Sequence, residues 1–349
     1  MRGLKQKSVA LLAVAAMALG SLTGCAASVD NSEVVATVGE SKITAGVANF
    51  FVRQQQVSVE SMFSMYGMED KSWKMDIGEG KTYEESVKDG VMESLQELYI
   101  LQNHMADYKV ELTKDEEAAI EAAADAFLKA NTKEVLEKVS GEKDIIVEVL
   151  QLMTIQKKMY DAIVADVDTE VSDKEAAQKA MQYMFYATTS TDQTTGASIP
   201  LSDTEKEAKK TEAETFLAKA KENGDLEAYA KEAGTESKKA TFDAKSTSPD
   251  EAVIKAADAL KKGEFSEVIE TESGYYVLQV TSLLDREATD TKKESIVTER
   301  QDAKYTEVFE ALKEETKISV DEKLCKKISL YGLQVTEKQV EEEKKETTE

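Results

Sequence analysis

Imidazoles and thiols are the side chains with which this chain could do acid–base, metal or nucleophilic chemistry, and their numbers restrict it. The 349 residues contain one histidine, His104, so a two-histidine acid/base pair and the multi-histidine zinc sites are excluded. Two cysteines, Cys25 and Cys325, are too few for a four-cysteine metal site or a disulfide framework. His104 stands near the end of an apolar-striped segment, residues 82–107, and reads as a helix-terminal histidine rather than a catalytic one. No metal and no cofactor is expected. Lys and Arg number 44 against 68 Asp and Glu, and the net charge of −24 would repel nucleic-acid phosphate, so no nucleic-acid partner is expected either.

Cys25 owes its interest to what precedes it. Arg2, Lys5 and Lys7 stand before an apolar run from Val9 to Leu19, with no acidic residue ahead of Asp30. That is the charged and apolar pattern of a secretion signal, and the run is too short to span a bilayer comfortably. Leu22-Thr23-Gly24-Cys25 is similar to the bacterial lipobox, in which cleavage precedes the cysteine and a diacylglyceryl group is attached to its sulfur. Residues 1–24 are therefore expected to be a lipoprotein signal peptide, Cys25 the lipid-attachment residue, and 25–33 a tether. A poor transmembrane anchor or an ordinary cleavage site is the alternative. Each buried CH₂ contributes about 0.8 kcal/mol, so two acyl chains hold a protein stably at a membrane. The expected location is the extracytoplasmic side of the cell membrane, through a lipid anchor.

The rest of the chain supplies the elements. Val34–Val38 and Lys42–Thr44, joined by Gly39-Glu40-Ser41, predict a small hairpin, and Thr44 caps the helix after it. Thr82 with Glu85 and Thr113 with Glu116 have capping-box spacing. The helix after Thr82 carries an apolar stripe through Val87, Val91, Leu95, Leu98 and Leu101, and another stripe runs from Ile145 to Val164. The methionine-rich stretch at Met62, Met65, Met68 and Met75 reads as core filling around Trp73, with an adaptable apolar surface as the alternative. Near residue 180 the pattern changes. Met181–Tyr186 is strand material, Thr188–Pro200 a loop, and helices follow from Ser202, Asp225 and Pro249. Two strands, Ser266–Thr271 and Gly274–Leu284, come next. Along the second, Tyr276, Leu278 and Val280 share one face and Tyr275, Val277 and Gln279 the other.

Two segments carry a resemblance. Val34-Val35-Ala36-Thr37-Val38-Gly39-Glu40-Ser41-Lys42-Ile43-Thr44 resembles the opening hairpin of the foldase lipoproteins of the PrsA/SurA type. Residues 263–278, GEFSEVIETESGYYVL, resemble the end of a parvulin-like peptidyl-prolyl isomerase domain. The resemblance implies an α+β fold: a helical SurA-like chaperone domain, built from N- and C-terminal segments, with an inserted parvulin-like α+β domain. The expected boundaries are 34–175 for the N-terminal helical domain, 180–286 for the parvulin-like domain, 287–332 for a C-terminal helix packing back on the helical domain, and 333–349 for a disordered acidic tail.

The same resemblance points to a site and to its alteration. In the first strand the family has a histidine where this chain has Tyr183, within Gln182-Tyr183-Met184-Phe185-Tyr186, and Tyr276 stands where the last strand would carry another. In the helix that would grip the proline ring, Pro249 replaces a methionine, while Val253 and Asp258 replace phenylalanines. A carboxylate there would carry a desolvation penalty. The family's glycine-rich loop has no counterpart between Gly234 and Pro249. Phenols still donate and accept hydrogen bonds, but they do not titrate near neutrality. No catalytic residue is assigned, and Tyr183, Phe185, Val253, Phe265 and Tyr276 are the candidate substrate-binding residues. The expected function is a membrane-anchored foldase or chaperone for unfolded secreted polypeptides, with weak or absent isomerase activity. An active isomerase is the alternative, and a solute-binding lipoprotein, which would need two similar α/β lobes, comes third. A homodimer stays open.

Overall fold

In the computed structural model, which describes residues 17–19, 30–192, 196–333 and 335–337, helix starts fall where the sequence puts polar caps. Strand β1 (Met17–Leu19) is followed by the hairpin β2 (Val34–Val38) and β3 (Ser41–Thr44), turned at Gly39, whose φ of 58° is one that glycine adopts without strain. Thr44 caps α1 (Ala45–Met65) by accepting from the Val47 amide. The spacing of Thr82 with Glu85 and of Thr113 with Glu116 forms full capping boxes on α2 (Tyr83–Asn103) and α3 (Lys114–Ala130). α4 (Lys133–Val139) and α5 (Lys143–Ile163) complete this run.

The second run opens with the short α6 (Asp173–Ala176) and β4 (Lys179–Ala187). It continues through β5 (Thr189–Thr191), β6 (Ser198–Pro200), α7 (Asp203–Asn223), α8 (Leu226–Glu232), β7 (Lys238–Phe242), α9 (Glu251–Asp258), β8 (Ile269–Glu270) and β9 (Gly274–Ser282). α10 (Arg286–Glu315), β10 (Ile318–Val320), α11 (Glu322–Cys325) and β11 (Val335–Glu337) close the chain, and β11 pairs antiparallel with β1.

Two compact units result, divided after Asp166 and before Ala303. The first is helical, with α1, α2, α3 and α5 packed around Phe50, Leu95, Ile146 and Leu150, and with the small sheet β10-β2-β3 against them. The chain returns to this core after its excursion: Phe309, Leu312, Ile318, Ile328, Leu330 and Leu333 all pack into it. The second unit is an antiparallel sheet in the order β7-β4-β9-β8. Residues 274–280 of β9 are buried in an unbroken run, as a central strand covered on both faces requires. Met184, Tyr275 and Val277 face α7 and α8, while Met181, Tyr276, Leu278 and Val280 face α9. The inserted α+β architecture expected from the sequence is the one observed.

The compact unit that holds the sheet runs from Val167 to Asp302. The reason is polar: Asp173 accepts from Arg286 (2.7 Å) and Lys293 (2.5 Å), Arg300 reaches the Asp168 carbonyl (2.8 Å) and Glu175 (2.8 Å), and Gln178 N donates to the buried Thr289 hydroxyl. Apolar periodicity cannot reveal such a seam. Of the tail expected to be disordered from 333, Leu333 is buried in the first core. Residues 338–349, like Cys25, lie outside the described residues.

Three further elements differ from expectation. The stretch between Gly234 and Pro249 contains β7, which pairs with β4 from Lys179↔Phe242 to Tyr183↔Lys238. Its first two residues are lysines, so no alternation announces it, and only Phe242 is buried. Within the expected loop 188–200, Thr189–Thr191 and Ser198–Pro200 pair antiparallel as β5 and β6. The strand expected over 266–271 shortens to β8.

Candidate functional site

Strand alternation puts Tyr183 and Phe185 on one face of β4, and the register sets Phe185 opposite Tyr276 on β9. The rings meet: Phe185 and Tyr276 have centroids 4.5 Å apart, Tyr183 and Tyr276 5.8 Å. Val253, Ile254 and Ala257 of α9 pack against this face, and Met181, Leu278, Val280 and Ile269 complete its apolar lining. Four of the five candidate residues, Tyr183, Phe185, Val253 and Tyr276, thus share one surface.

Phe265 is not among them. It bridges to Gln279 and packs with Val268 on the opposite face, against the α7–α8 cluster. The correction follows from the pleat, since Gln279 points away from Tyr276 and Leu278. Val253 also differs from a pocket wall, because it is 0% exposed and Tyr276 only 5%. The chain's own side chains fill this face. Asp258 does not suffer the expected desolvation: it sits at the partly exposed end of α9, where Lys179 Nζ lies 2.9 Å from its carboxylate and 2.8 Å from its carbonyl oxygen.

The chemistry left to the face is that of phenols. Neither the Tyr183 nor the Tyr276 hydroxyl has a hydrogen-bond partner among the described residues. Burial, with Tyr276 beside it, raises the Tyr183 phenol above its usual pKa, so it stays neutral through the physiological range. Any prolyl isomerisation at this face is therefore expected to be flat between about pH 5 and 9, where an imidazole would titrate near 6.5. A sigmoidal change in the pH–rate profile near neutrality would contradict that assignment.

His104 caps the C-terminus of α2 and its Nδ1 lies 2.8 Å from Asp107. Cys325 is a free thiol pushed up in pKa by burial and by Asp321. Of the methionines, Met68 packs on the first core, while Met62, Met65 and Met75 are exposed, so core filling accounts for only part of that stretch.

Sequence reading missed a second feature, in the helical unit. Three cavities follow α2: one of about 640 Å³ between α1 and α2, one of about 380 Å³ beside Phe309, and one of about 350 Å³ at Tyr160 and Tyr305. The first two share Gly90 and Ser94, and the second and third share Glu97. Tyr83, Val87, Gly90, Ser94 and Glu97 recur at alternating intervals of four and three, so they line one helix face. A glycine inside a helix was the available signal.

Comparison with known proteins bears on the sheet unit first. Residues 198–295 match the family model of the PPIC-type PPIase domain. That stretch is thus similar to the parvulin-type domains. The matched stretch includes Val253 and Tyr276 and begins beyond β4, the strand that holds Tyr183. The Foldase protein PrsA of Clostridium botulinum (strain Langeland / NCTC 10281 / Type F) is 28% identical over 202 residues, covering 55% of this chain and 58% of that protein. The chain thus spans less than two thirds of the length of this curated relative. Among solved structures, PrsA of Lactococcus lactis is 16% identical and covers 85% of this chain and 100% of its own, with a TM-score of 0.35. A SurA-like chaperone structure from Campylobacter jejuni is 12% identical and covers 83% and 99%, with a TM-score of 0.29. Among the described residues, no helix is long and apolar enough to cross a membrane.

Proposed function

We propose that this chain is an extracytoplasmic chaperone of the PrsA type, lipid-anchored at Cys25, that holds unfolded secreted polypeptides and isomerises prolyl bonds slowly or not at all. The observation that carries the reading is the packed face of Tyr183, Phe185 and Tyr276 over a fully buried Val253. Rotating a peptide bond takes about 18–20 kcal/mol, and a trans prolyl bond is held by the same amide resonance. A catalyst must grip the ring and stabilise the twisted amide more than the planar one. Here the space beneath the aromatic rings is taken by the protein's own side chains, and no imidazole stands beside it. What supports holding is the groove along α2, which is open and lined by apolar, amide and hydroxyl groups.

An active isomerase is the second reading, favoured by the unpartnered Tyr183 hydroxyl. The two separate in one pair of measurements: cis-to-trans relaxation of a proline tetrapeptide, and suppression of aggregation of an unfolded client, both with the purified protein. Protection together with a relaxation rate within about twofold of the uncatalysed one is expected. A large rate enhancement that Tyr183→Ala or Tyr276→Ala abolishes would establish the isomerase instead. For the anchor, Cys25→Ser is expected to release the protein from the membrane fraction, and retention there would refute lipid attachment at that residue.

A further inference from the structure

The groove along α2 changes character from one end to the other. At the Tyr83 end it is walled by Phe51, Val87 and the amides of Gln54 and Gln55. At the Glu97 end it is walled by the rings of Tyr160 and Tyr305, whose centroids are 5.2 Å apart, with Tyr305 stacked in turn on Phe309 at 6.0 Å. The Tyr305 hydroxyl donates to Glu97 Oε1 at 2.8 Å, which fixes the carboxylate against the ring and leaves its second oxygen outside that bond. Tyrosine rings and a fixed carboxylate lining one cavity are the ingredients of a cation site: the ring quadrupole and the carboxylate attract the same charge. The lysine at this end, Lys157, lies 3.0 Å from Asp161, so its own charge is already paired.

Distance and shape set the occupant. From Tyr83 to Glu97 α2 rises fourteen positions, roughly 21 Å at about 1.5 Å each. An extended polypeptide covers that span in about six residues at roughly 3.3 Å each. Midway, the wall falls back at Gly90, where a Cβ would meet nothing within 4 Å. Glycine is among the poorest residues for a helix interior, and no neighbouring atom requires it here. Its effect is to keep the passage open between the first and second cavities.

Resting on the chaperone reading, we infer that this groove selects extended client segments in which an arginine or lysine lies about six residues from an apolar side chain, the cation lying in the cavity that Tyr160, Tyr305 and Glu97 line. The groove is a specificity device: the apolar end gives general holding, and the aromatic–carboxylate end discriminates.

The test uses fluorescence anisotropy with the full-length protein in non-ionic detergent and two labelled peptides. One is an extended, proline-free decapeptide with leucine near one end and arginine six residues on; the other carries citrulline in place of arginine. The arginine peptide is expected to bind about tenfold more tightly, with a preference that shrinks as salt rises. Glu97→Gln and Tyr305→Leu should erase the preference, so that each variant binds the arginine and citrulline peptides alike. Gly90→Leu, which has room for its side chain, should weaken both peptides. Trp73 fluorescence confirms that each variant is folded. Equal affinity for the two peptides, or a preference unchanged in Glu97→Gln, overturns the inference. So does peptide binding unaffected by Gly90→Leu. Aggregation suppression, measured alongside, tells the two readings apart: protection without the arginine preference leaves the chaperone standing and removes only the selectivity, whereas absence of protection refutes the chaperone itself.

Discussion

Gly274→Ala is expected to unfold the parvulin-type unit or to remove most of its stability, while the helical unit stays intact. Gly274 opens β9 at φ +154°, a conformation that side chains rarely adopt, and pairs with Ala187. A Cβ there would stand 2.2 Å from the Tyr186 carbonyl oxygen and 2.7 Å from the Phe185 ring. The oxygen is backbone in a ladder, so the strand itself has to move. Strain at such a backbone position costs on the order of 1–3 kcal/mol, and overpacking roughly another 1–3. Against a domain stability of about 5–15 kcal/mol, this is a large part of the whole. The single tryptophan, Trp73, belongs to the helical unit and makes a convenient separation. In a urea titration its fluorescence midpoint should be unchanged, while the near-ultraviolet dichroism of the tyrosine-bearing sheet is lost at lower urea. Coincidence of both transitions with those of the parent would refute the argument. The position also matters for the candidate site, because the same contact sets how closely Phe185 approaches the start of β9.

Gln56→Leu should do the reverse, lowering the Trp73 transition and leaving the sheet unit alone. Gln56 is 0% exposed and joins four groups. It accepts from Arg53 Nη1 at 2.7 Å and donates to Glu60 Oε1 at 2.7 Å, to the Leu330 carbonyl at 3.2 Å and to the Leu333 carbonyl. Arg53 is 3% exposed, and burial pulls its pKa down to about 10 although Glu60 and Glu84 favour the cation. A leucine of similar size would leave a buried cation without its neutral acceptor and two carbonyls without donors. An orphaned buried group costs about 1–3 kcal/mol, more when it is charged. A loss of about 3 kcal/mol is therefore expected. Hydrogen exchange should show protection lowered at 328–333, since Gln56 fastens this stretch beneath α1 together with Lys88, Glu84 and Asp70. An unchanged fluorescence midpoint, or protection of 328–333 equal to the parent's, would show the polar cluster to be dispensable.

Fastening of this kind explains why some boundaries were readable and others were not. The helix starts at Thr82, Thr113 and Ser202 were readable because a capping box is made by residues three apart. The alternation of Tyr275 with Tyr276 was readable for the same reason, since the pleat is a local property. β7 was not, because Lys238 and Lys239 are strand residues only by virtue of β4 beside them. The side taken by Phe265 was not either, because a residue in an irregular segment takes its face from the strand it bridges rather than from its own periodicity. The groove along α2 escaped because its walls come from α1, α5 and α10, at separations no window spans.

Sequence alone determined the architecture of this protein: local patterns of caps, stripes and alternation mark a helical chain interrupted by an antiparallel α+β unit, and Tyr275 and Tyr276 fall on opposite faces of one strand. Tertiary structure decided what surrounds those phenols and where an open groove runs, because burial and enclosure are set jointly by residues far apart in the chain, each of which looks ordinary in its own neighbourhood.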